Sequence, residues 1–275
     1  MTEVTSKEKY PTPGKIRESV RKRYGEIAES GQPGCGCASP GCCSGPAATS
    51  LGVSSLQIGY SPEELQAVPA GADLGLGCGN PQAIAALQPG ERVLDLGSGA
   101  GFDCFLAARQ VGPSGQVIGV DMTAEMVAKA RENAATAGYA NVEFRLGEIE
   151  HLPAADASVD VIISNCVINL SPDKGQVFRE AFRVLRPGGR LAISDIVATA
   201  PMPPEVRNDL ALYTCCIAGA AFIDELEDML TESGFQQIRI QPKDESRQVI
   251  REWAPGRKIE DLIVSASIEA VKPAS

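Results

Sequence analysis

The stretch Glu91–Gly101 reads ERVLDLGSGAG, and residues 102–110 continue as FDCFLAARQ. The first part is an apolar run of strand length, the second a turn built on Gly97, Gly99 and Gly101, and residues 102–110 carry apolar side chains at helical spacing. A strand that runs into a glycine-rich turn and then a helix gives such a loop meaning. Glycine lets the chain turn tightly and lets backbone come close to a ligand. The spacing also argues against one ligand class: a dinucleotide fingerprint places its last glycine where this chain has Phe102, so a nicotinamide cofactor is disfavoured.

Outward from this unit the alternation continues. QVIGVDM, VEFRLGE, VDVIISN and GRLAISD read as strands, and AEMVAKARENAATAG and GQVFREAFRVL as amphipathic helices. Such alternation predicts a parallel sheet with helices on both faces, a doubly wound, Rossmann-like α/β fold. Upstream, IRESVRKRYGEIAES has a charged helical pattern, Gly31 to Ser50 is too rich in Gly, Pro and Ser to pack and predicts a mobile loop, and SPEELQAV predicts a short helix capped by Ser61 with Pro62 at its first position. Downstream, NDLALYTCCIAGAAF and DELEDMLTESG predict helices, and FQQIRIQP and LIVSASIEAV predict antiparallel strands added at one sheet edge. The expected organisation is residues 1–70 as an N-terminal helix and cysteine-rich mobile segment, 71–198 as the cofactor-binding domain, and 199–275 as an α+β region that binds the acceptor and completes the sheet.

Composition narrows the function classes. Among 275 residues, 25 Lys+Arg stand against 35 Asp+Glu, a formal charge of −10, so no basic stripe exists for nucleic acid. Nowhere is there a run of the roughly 18 apolar residues that a bilayer span needs, nor a basic start followed by an apolar segment. The expectation is a cytoplasmic monomer with no nucleic-acid or membrane partner. Nine cysteines in such a chain point to ligand, redox or catalytic use rather than a disulfide scaffold.

For the cofactor, Asp121 ends the strand QVIGVD at the position where a carboxylate accepts from both ribose hydroxyls; its structural alternative is a helix cap. The turn Gly147–Glu150, GEIE, could flank an adenine with Ile149 while Glu148 or Glu150 accepts from its amine. Together the glycine loop, the acid and this turn resemble class I S-adenosylmethionine-dependent methyltransferases. The resemblance implies a cofactor site formed by Asp95, Gly97, Ser98, Gly99, Gly101, Asp121, Met122, Glu148, Ile149 and Glu150, with Asn165 as a further contact.

For the acceptor, the single histidine, His151, falls beside the cofactor turn, where it offers no base to an oxygen or nitrogen nucleophile. Thiols, by contrast, stand at the carboxyl ends of the sheet. Cys166 comes after the strand VDVIISN in the run SNCVINLSPDK, Cys78 lies in the glycine-rich turn GLGCGNP, which is expected to expose it, and Cys215 and Cys216 are adjacent. On a helix neighbours differ by about 100°, so only one of that pair would face the site. Thiolates select thiophilic ions, and trivalent arsenic keeps a lone pair when three sulfurs hold it.

LGLGCGNP, DLGSGAGFDC, GVDMT, ISNCVINLSPDK and CIAGAA resemble the arsenite S-adenosylmethionine methyltransferases. The resemblance implies that Cys166 and Cys216 bind arsenic, that Cys78 is a third thiol of the site, and that an N-terminal cysteine exchanges a disulfide with Cys78. Cys42 and Cys43 of CGCASPGCC are the candidates, as catalytic thiols. It further implies a thiol reductant, thioredoxin or glutathione, and arsenite or its thiol adducts as substrate, for arsenic detoxification. Cys104 matches the family but suits core packing equally. The rival readings are a methyltransferase of a small organic acceptor and a protein that sequesters metalloid through the same thiols.

Overall fold

A computed structural model describes residues 10–31 and 55–274 of the chain. Five strands form where β-branched and apolar residues run together: β1 (Arg92–Leu96), β2 (Gln116–Asp121), β3 (Val142–Leu146), β4 (Val159–Asn165) and β5 (Leu185–Ala198). All five run parallel, and three later strands join them: β6 (Ala221–Phe222), β7 (Gln236–Lys243) and β8 (Ile263–Val271). The order is β3-β2-β1-β4-β5-β8-β7, with β6 beside the end of β5. The last two strands lie antiparallel at the edge, as their sequence predicts.

The inner strands have no polar alternation because helices cover both faces. Among the described residues the α-helices are α1 (Pro13–Ser30), α2 (Pro62–Gln66), α3 (Gln82–Ala85), α4 (Phe102–Val111), α5 (Ala124–Ala137), α6 (Lys174–Val184), α7 (Pro204–Arg207), α8 (Leu210–Tyr213), α9 (Ile223–Glu232) and α10 (Arg247–Ile250). Leu94 and Ile162 meet Val177 and Phe178 of α6 and Leu226 and Leu230 of α9 on one side. Val93 and Ile163 meet Phe105 of α4 and Val127 of α5 on the other. Each such buried side chain contributes about 1.5–3 kcal/mol by leaving water. Ser61 caps α2 through a capping box with Glu64, with Pro62 at the first turn, as expected.

Strand order reverses between β1 and β4, and in open α/β sheets the crevice outside the strand ends at such a point holds the ligand. Two loops meet there: the glycine turn after β1 and the segment from Cys166 after β4. Strand β5 is longer than GRLAISD because β8 pairs with it as far as Ala198 and Ile263.

One expected helix is cut short. In NDLALYTCCIAGAAF the helical hydrogen bonding stops because Cys216 adopts the left-handed region at φ 62°. The Cys216 N–H then donates to Tyr213 O and the Ile217 N–H to Leu212 O, the Schellman pattern that ends helices. Glycine is the usual residue at that position, and here it is a cysteine. The segment's end becomes β6 beside β5.

Candidate active site

The glycine turn is built by its close approaches. Gly97, at φ 68°, leaves no room for a side chain, since a Cβ there would lie 2.5 Å from Val167. Gly99 faces open space and its N–H donates to Asp121 Oδ2 at 2.9 Å, while Asp121 Oδ1 accepts from the Thr123 N–H at 2.8 Å. The Ser98 hydroxyl is buried and has no partner among the described residues. Gly97, Ser98, Gly99, Asp95, Asp121, Met122, Ile149, Glu150 and Asn165 line one cavity. Gly101, the remaining glycine of the loop, sits at φ 95° against Phe105 and Phe144 and opens α4. An orphaned hydroxyl, an open glycine and carboxylates in the wall suit a ligand that carries hydroxyls and positive charge, as S-adenosylmethionine does.

Helix α1 roofs this cavity with Arg17, Val20 and Tyr24. Arg17 donates to Glu150 at 3.0 Å and pairs with Glu148 at 3.5 Å, and Arg21 also binds Glu148. Glu150 further accepts from the Ser171 hydroxyl at 2.8 Å. The carboxylates expected to meet an adenine amine therefore anchor the roof; Glu150 still reaches the cavity wall, and Glu148 lies outside it.

Three expected thiols converge beside the cavity. Cys166 leaves β4 in the left-handed region at φ 60°, its N–H held by Ser194 O at 2.8 Å. The Cys216 thiol donates to Cys166 O at 2.7 Å, and the Cys78 thiol points to Ser194 O at 3.7 Å. The Cys166 sulfur lies within 4.8 Å of the Cys78 sulfur. A non-glycine residue in the left-handed region costs about 1–2 kcal/mol, and the site holds two.

Cys78 is only 5% exposed, so the expectation that its glycine-rich turn exposes it fails. The turn is pinned to the sheet. The Cys78 N–H donates to Asn165 Oδ1 at 3.1 Å, and Cys78 O accepts from the Ser265 hydroxyl at 2.7 Å. The Asn165 amide N–H₂ donates in turn to Gly79 O at 2.8 Å and to the Tyr60 hydroxyl at 2.9 Å, and that hydroxyl donates to Asp103 at 2.8 Å. Asn165 thus joins the Cys78 turn to the cofactor wall. Asp103 is pushed up to about 6 by burial, against hydrogen bonds from Tyr60, Gln82 and Asn165.

Among the described residues, the Cys78 and Cys166 sulfurs and an Asp195 oxygen lie within 4.8 Å of one another. Asp195 accepts from the Ile168 and Ile196 N–H groups and the Asn169 amide, tying down the loop after Cys166. Burial pushes Asp195 up to about 6 and raises Cys78. Contacts with Cys216 and Cys78, then burial, raise Cys166 further. Cys216 is drawn down by Cys166 but driven up by burial and by Asp195, to about 11. All three therefore stand as thiols at neutral pH.

Cys104 is fully buried, its thiol donating to Asp95 at 3.2 Å, which fits a packing role. Cys42 and Cys43 lie outside the described residues. Sequence reasoning missed Arg17, Tyr24, Tyr60, Asp103, Asp195 and Ser265. Their partners lie far off in the chain, 133 residues for Arg17 and Glu150 and 187 for Ser265 and Cys78, beyond the reach of any local pattern.

Residues 87–238 match a family described as a methyltransferase domain. The chain is 57% identical, over 95% of its length, to 68% of an arsenite methyltransferase of Halobacterium salinarum. It is 41% identical, over 82% of its length, to 63% of an arsenite methyltransferase of Aquipseudomonas alcaligenes. It thus spans about two thirds of these relatives. Among solved structures it resembles an arsenic(III) S-adenosylmethionine methyltransferase of Chlamydomonas reinhardtii, with TM-score 0.58 and 33% identity over 79% of this chain and 71% of that one. Gly97→Ala forces a side chain into Val167 and costs about 1–3 kcal/mol. Isothermal titration with S-adenosylhomocysteine is expected to show affinity weakened about tenfold or more; unchanged affinity would remove this loop from the cofactor site.

Proposed function

The chain belongs to the arsenite methyltransferase family, and from that premise we propose that it transfers methyl groups from S-adenosylmethionine to trivalent arsenic held by Cys78, Cys166 and Cys216. The observation that carries this reading is the Cys78 sulfur within 4.8 Å of the Cys166 sulfur and the Cys216 thiol on the Cys166 carbonyl at 2.7 Å, beside a cavity walled by the glycine turn and Asp121.

The residues that would hold the cofactor are Gly97, Ser98, Gly99, Gly101 and Asp121, with Asp95, Met122, Ile149, Glu150 and Asn165 around them; Glu148 acts through the α1 roof. When bound, S-adenosylmethionine supplies an electrophilic sulfonium methyl to the arsenic lone pair. The chain's own task is capture and aim. Each cysteine S–H gives way to an S–As bond as a ligand of the incoming arsenical leaves with the proton, and arsenic stays trivalent with its lone pair intact. That lone pair needs no deprotonation, which accounts for a site with thiols and no histidine base. Proximity is then the main catalytic contribution, and the left-handed turns at Cys166 and Cys216 supply it by fixing two ligands before arsenic arrives.

Arsenic that has given up its lone pair needs two electrons to regain it. A thiol reductant, thioredoxin or glutathione, is the proposed source, with Cys42 or Cys43 as the disulfide partner of Cys78. Residues 71–198 would then hold the cofactor, while 199–275 supply Cys216 and 1–70 the roof and the N-terminal thiols. We assign the enzyme to the cytoplasm as a monomer, where thiols stay reduced. Among the described residues no helix is long and apolar enough to cross a membrane.

Protein incubated with arsenite, S-adenosylmethionine and a thiol reductant should yield methylated arsenic on chromatography with mass detection. Absence of methylated arsenic defeats the reading. Cys166→Ser should abolish the product, and full activity in that variant defeats the ligand assignment. Because the cradle thiols have raised pKa values, they stay protonated up to and beyond neutral pH, and exchange with an arsenic thiolate releases no net proton. Arsenic affinity should therefore be flat between about pH 6 and 8; a tenfold change per pH unit, measured by competition against glutathione, would contradict the thiol form.

A further inference from the structure

Capture of arsenic leaves Asp195 without a chemical task. Trivalent arsenic bonded to three sulfurs is neutral and presents a lone pair, so a further anion beside it has nothing to bind. Yet one oxygen of the Asp195 carboxylate and the Cys78 and Cys166 sulfurs all lie within 4.8 Å of one another, and Asp195 is only 1% exposed. A carboxylate in that place opposes ionisation of its neighbours, and it adds to the burial that raises Cys78. The Lys174 ammonium offsets part of the charge through space, while its own hydrogen bond goes to Ser171 O at 3.2 Å. Two thiolates and a carboxylate become favourable together around a cation.

We propose that Cys78, Cys166 and Asp195 form a binding site for a thiophilic divalent cation, zinc or cadmium, which competes with arsenic for the two thiols. The site shares those thiols with the arsenic cradle and stands whether or not arsenic binds there. As the cation enters, two S–metal bonds and one O–metal bond form and both S–H bonds break. The two protons go to the buffer, and no electrons are exchanged. In a zinc tetrahedron with Zn–S bonds of about 2.3 Å the sulfurs stand about 3.8 Å apart, so the donors have at most about 1 Å to close. Two thiolates in the set select zinc or cadmium over magnesium and calcium.

The carboxylate is already oriented for this task. It accepts from the Ile168 N–H at 2.8 Å, the Ile196 N–H at 2.7 Å and the Asn169 amide at 2.9 Å. A carboxylate has about four lone-pair positions, so one is left, and hydrogen bonds of this kind hold metal-bound carboxylates in place. The Cys78 backbone is likewise fixed at its N–H by Asn165 and at its C=O by Ser265. The Cys216 thiol keeps its bond to Cys166 O and is not required. Cys166 lines the cavity, which gives the cation its way in.

The test uses the full chain, reduced, with Cys35→Ser, Cys37→Ser, Cys42→Ser and Cys43→Ser so that the thiols of CGCASPGCC take no metal. Zinc K-edge X-ray absorption of this parent with one equivalent of zinc is expected to show sulfur and oxygen neighbours together, and Asp195→Cys is expected to add one sulfur. Asp195→Asn and Cys166→Ser should each weaken zinc binding at least about tenfold, read by competition with a chromophoric chelator. A zinc shell without sulfur, or with sulfur alone, overturns the proposal in the parent itself, so a variant that fails to fold does not spare it. An unchanged sulfur count in Asp195→Cys, or parent affinity in Asp195→Asn, overturns it as well; a carboxylate that only held the loop at Ile168 would not be replaced by a metal-bound sulfur. In the unsubstituted chain, arsenite methylation should fall as zinc binds and return with EDTA, and methylation undiminished by bound zinc overturns the competition. If zinc binds as described while zinc-free protein forms no methylated arsenic, the arsenic reading fails and the cation site stands.

Discussion

The site depends on how the chain leaves β4. At Cys166 an extended strand must become a loop at the point where the sheet order reverses, and the backbone does so through a left-handed residue that is not glycine. The carbonyl of Ser194 on β5 holds the Cys166 N–H and receives the Cys78 thiol. Asp195 on the same strand grips the backbone just beyond, at Ile168. Strained backbone persists only where its surroundings over-determine it, and here β5 does that from beneath. The proposed cradle requires a sulfur at this position and at Cys216, and both carry the strain of a left-handed turn.

From that fixed point the rest of the site is assembled by contacts of long reach. Asn165, one residue before Cys166, anchors the Cys78 turn and, through Tyr60 and Asp103, the start of α4. The added strand β8 contributes Ser265, which holds Cys78 O, so an antiparallel edge strand becomes part of the thiol site. On the cofactor side, Arg17 and Arg21 tie the N-terminal helix to Glu148 and Glu150. These pairs are partly exposed and so modest in energy, yet they decide what covers the cavity. Cofactor wall, thiol cradle and roof thus share residues, and none is a separate module.

The sheet and the glycine turn were legible because both are local. Alternating apolar runs and helical spacing predict β1 to β5 and their helices, and the strands FQQIRIQP and LIVSASIEAV fall where the antiparallel edge forms. Asp121 could be read from its distance to the glycine loop, and Cys166 from its place at a strand end. What escaped has two physical causes. The helix stop at Cys216 carries no glycine to announce it, so residues 215 and 216 read as helix. The roles of Glu148 and Glu150 depend on arginines more than 120 residues away, and the burial of Cys78 depends on Asn165 and Ser265. Pairings of that range arise from sheet order, which periodicity does not encode.

Arsenic K-edge X-ray absorption of the arsenite-loaded protein measures the central claim directly, because it counts the atoms bonded to arsenic. Three sulfur neighbours and no oxygen are predicted for the full chain, with one sulfur lost in each of Cys78→Ser, Cys166→Ser and Cys216→Ser. Retained oxygen ligands in the unsubstituted protein, or a sulfur count that none of these substitutions lowers, would contradict a cradle formed by these thiols.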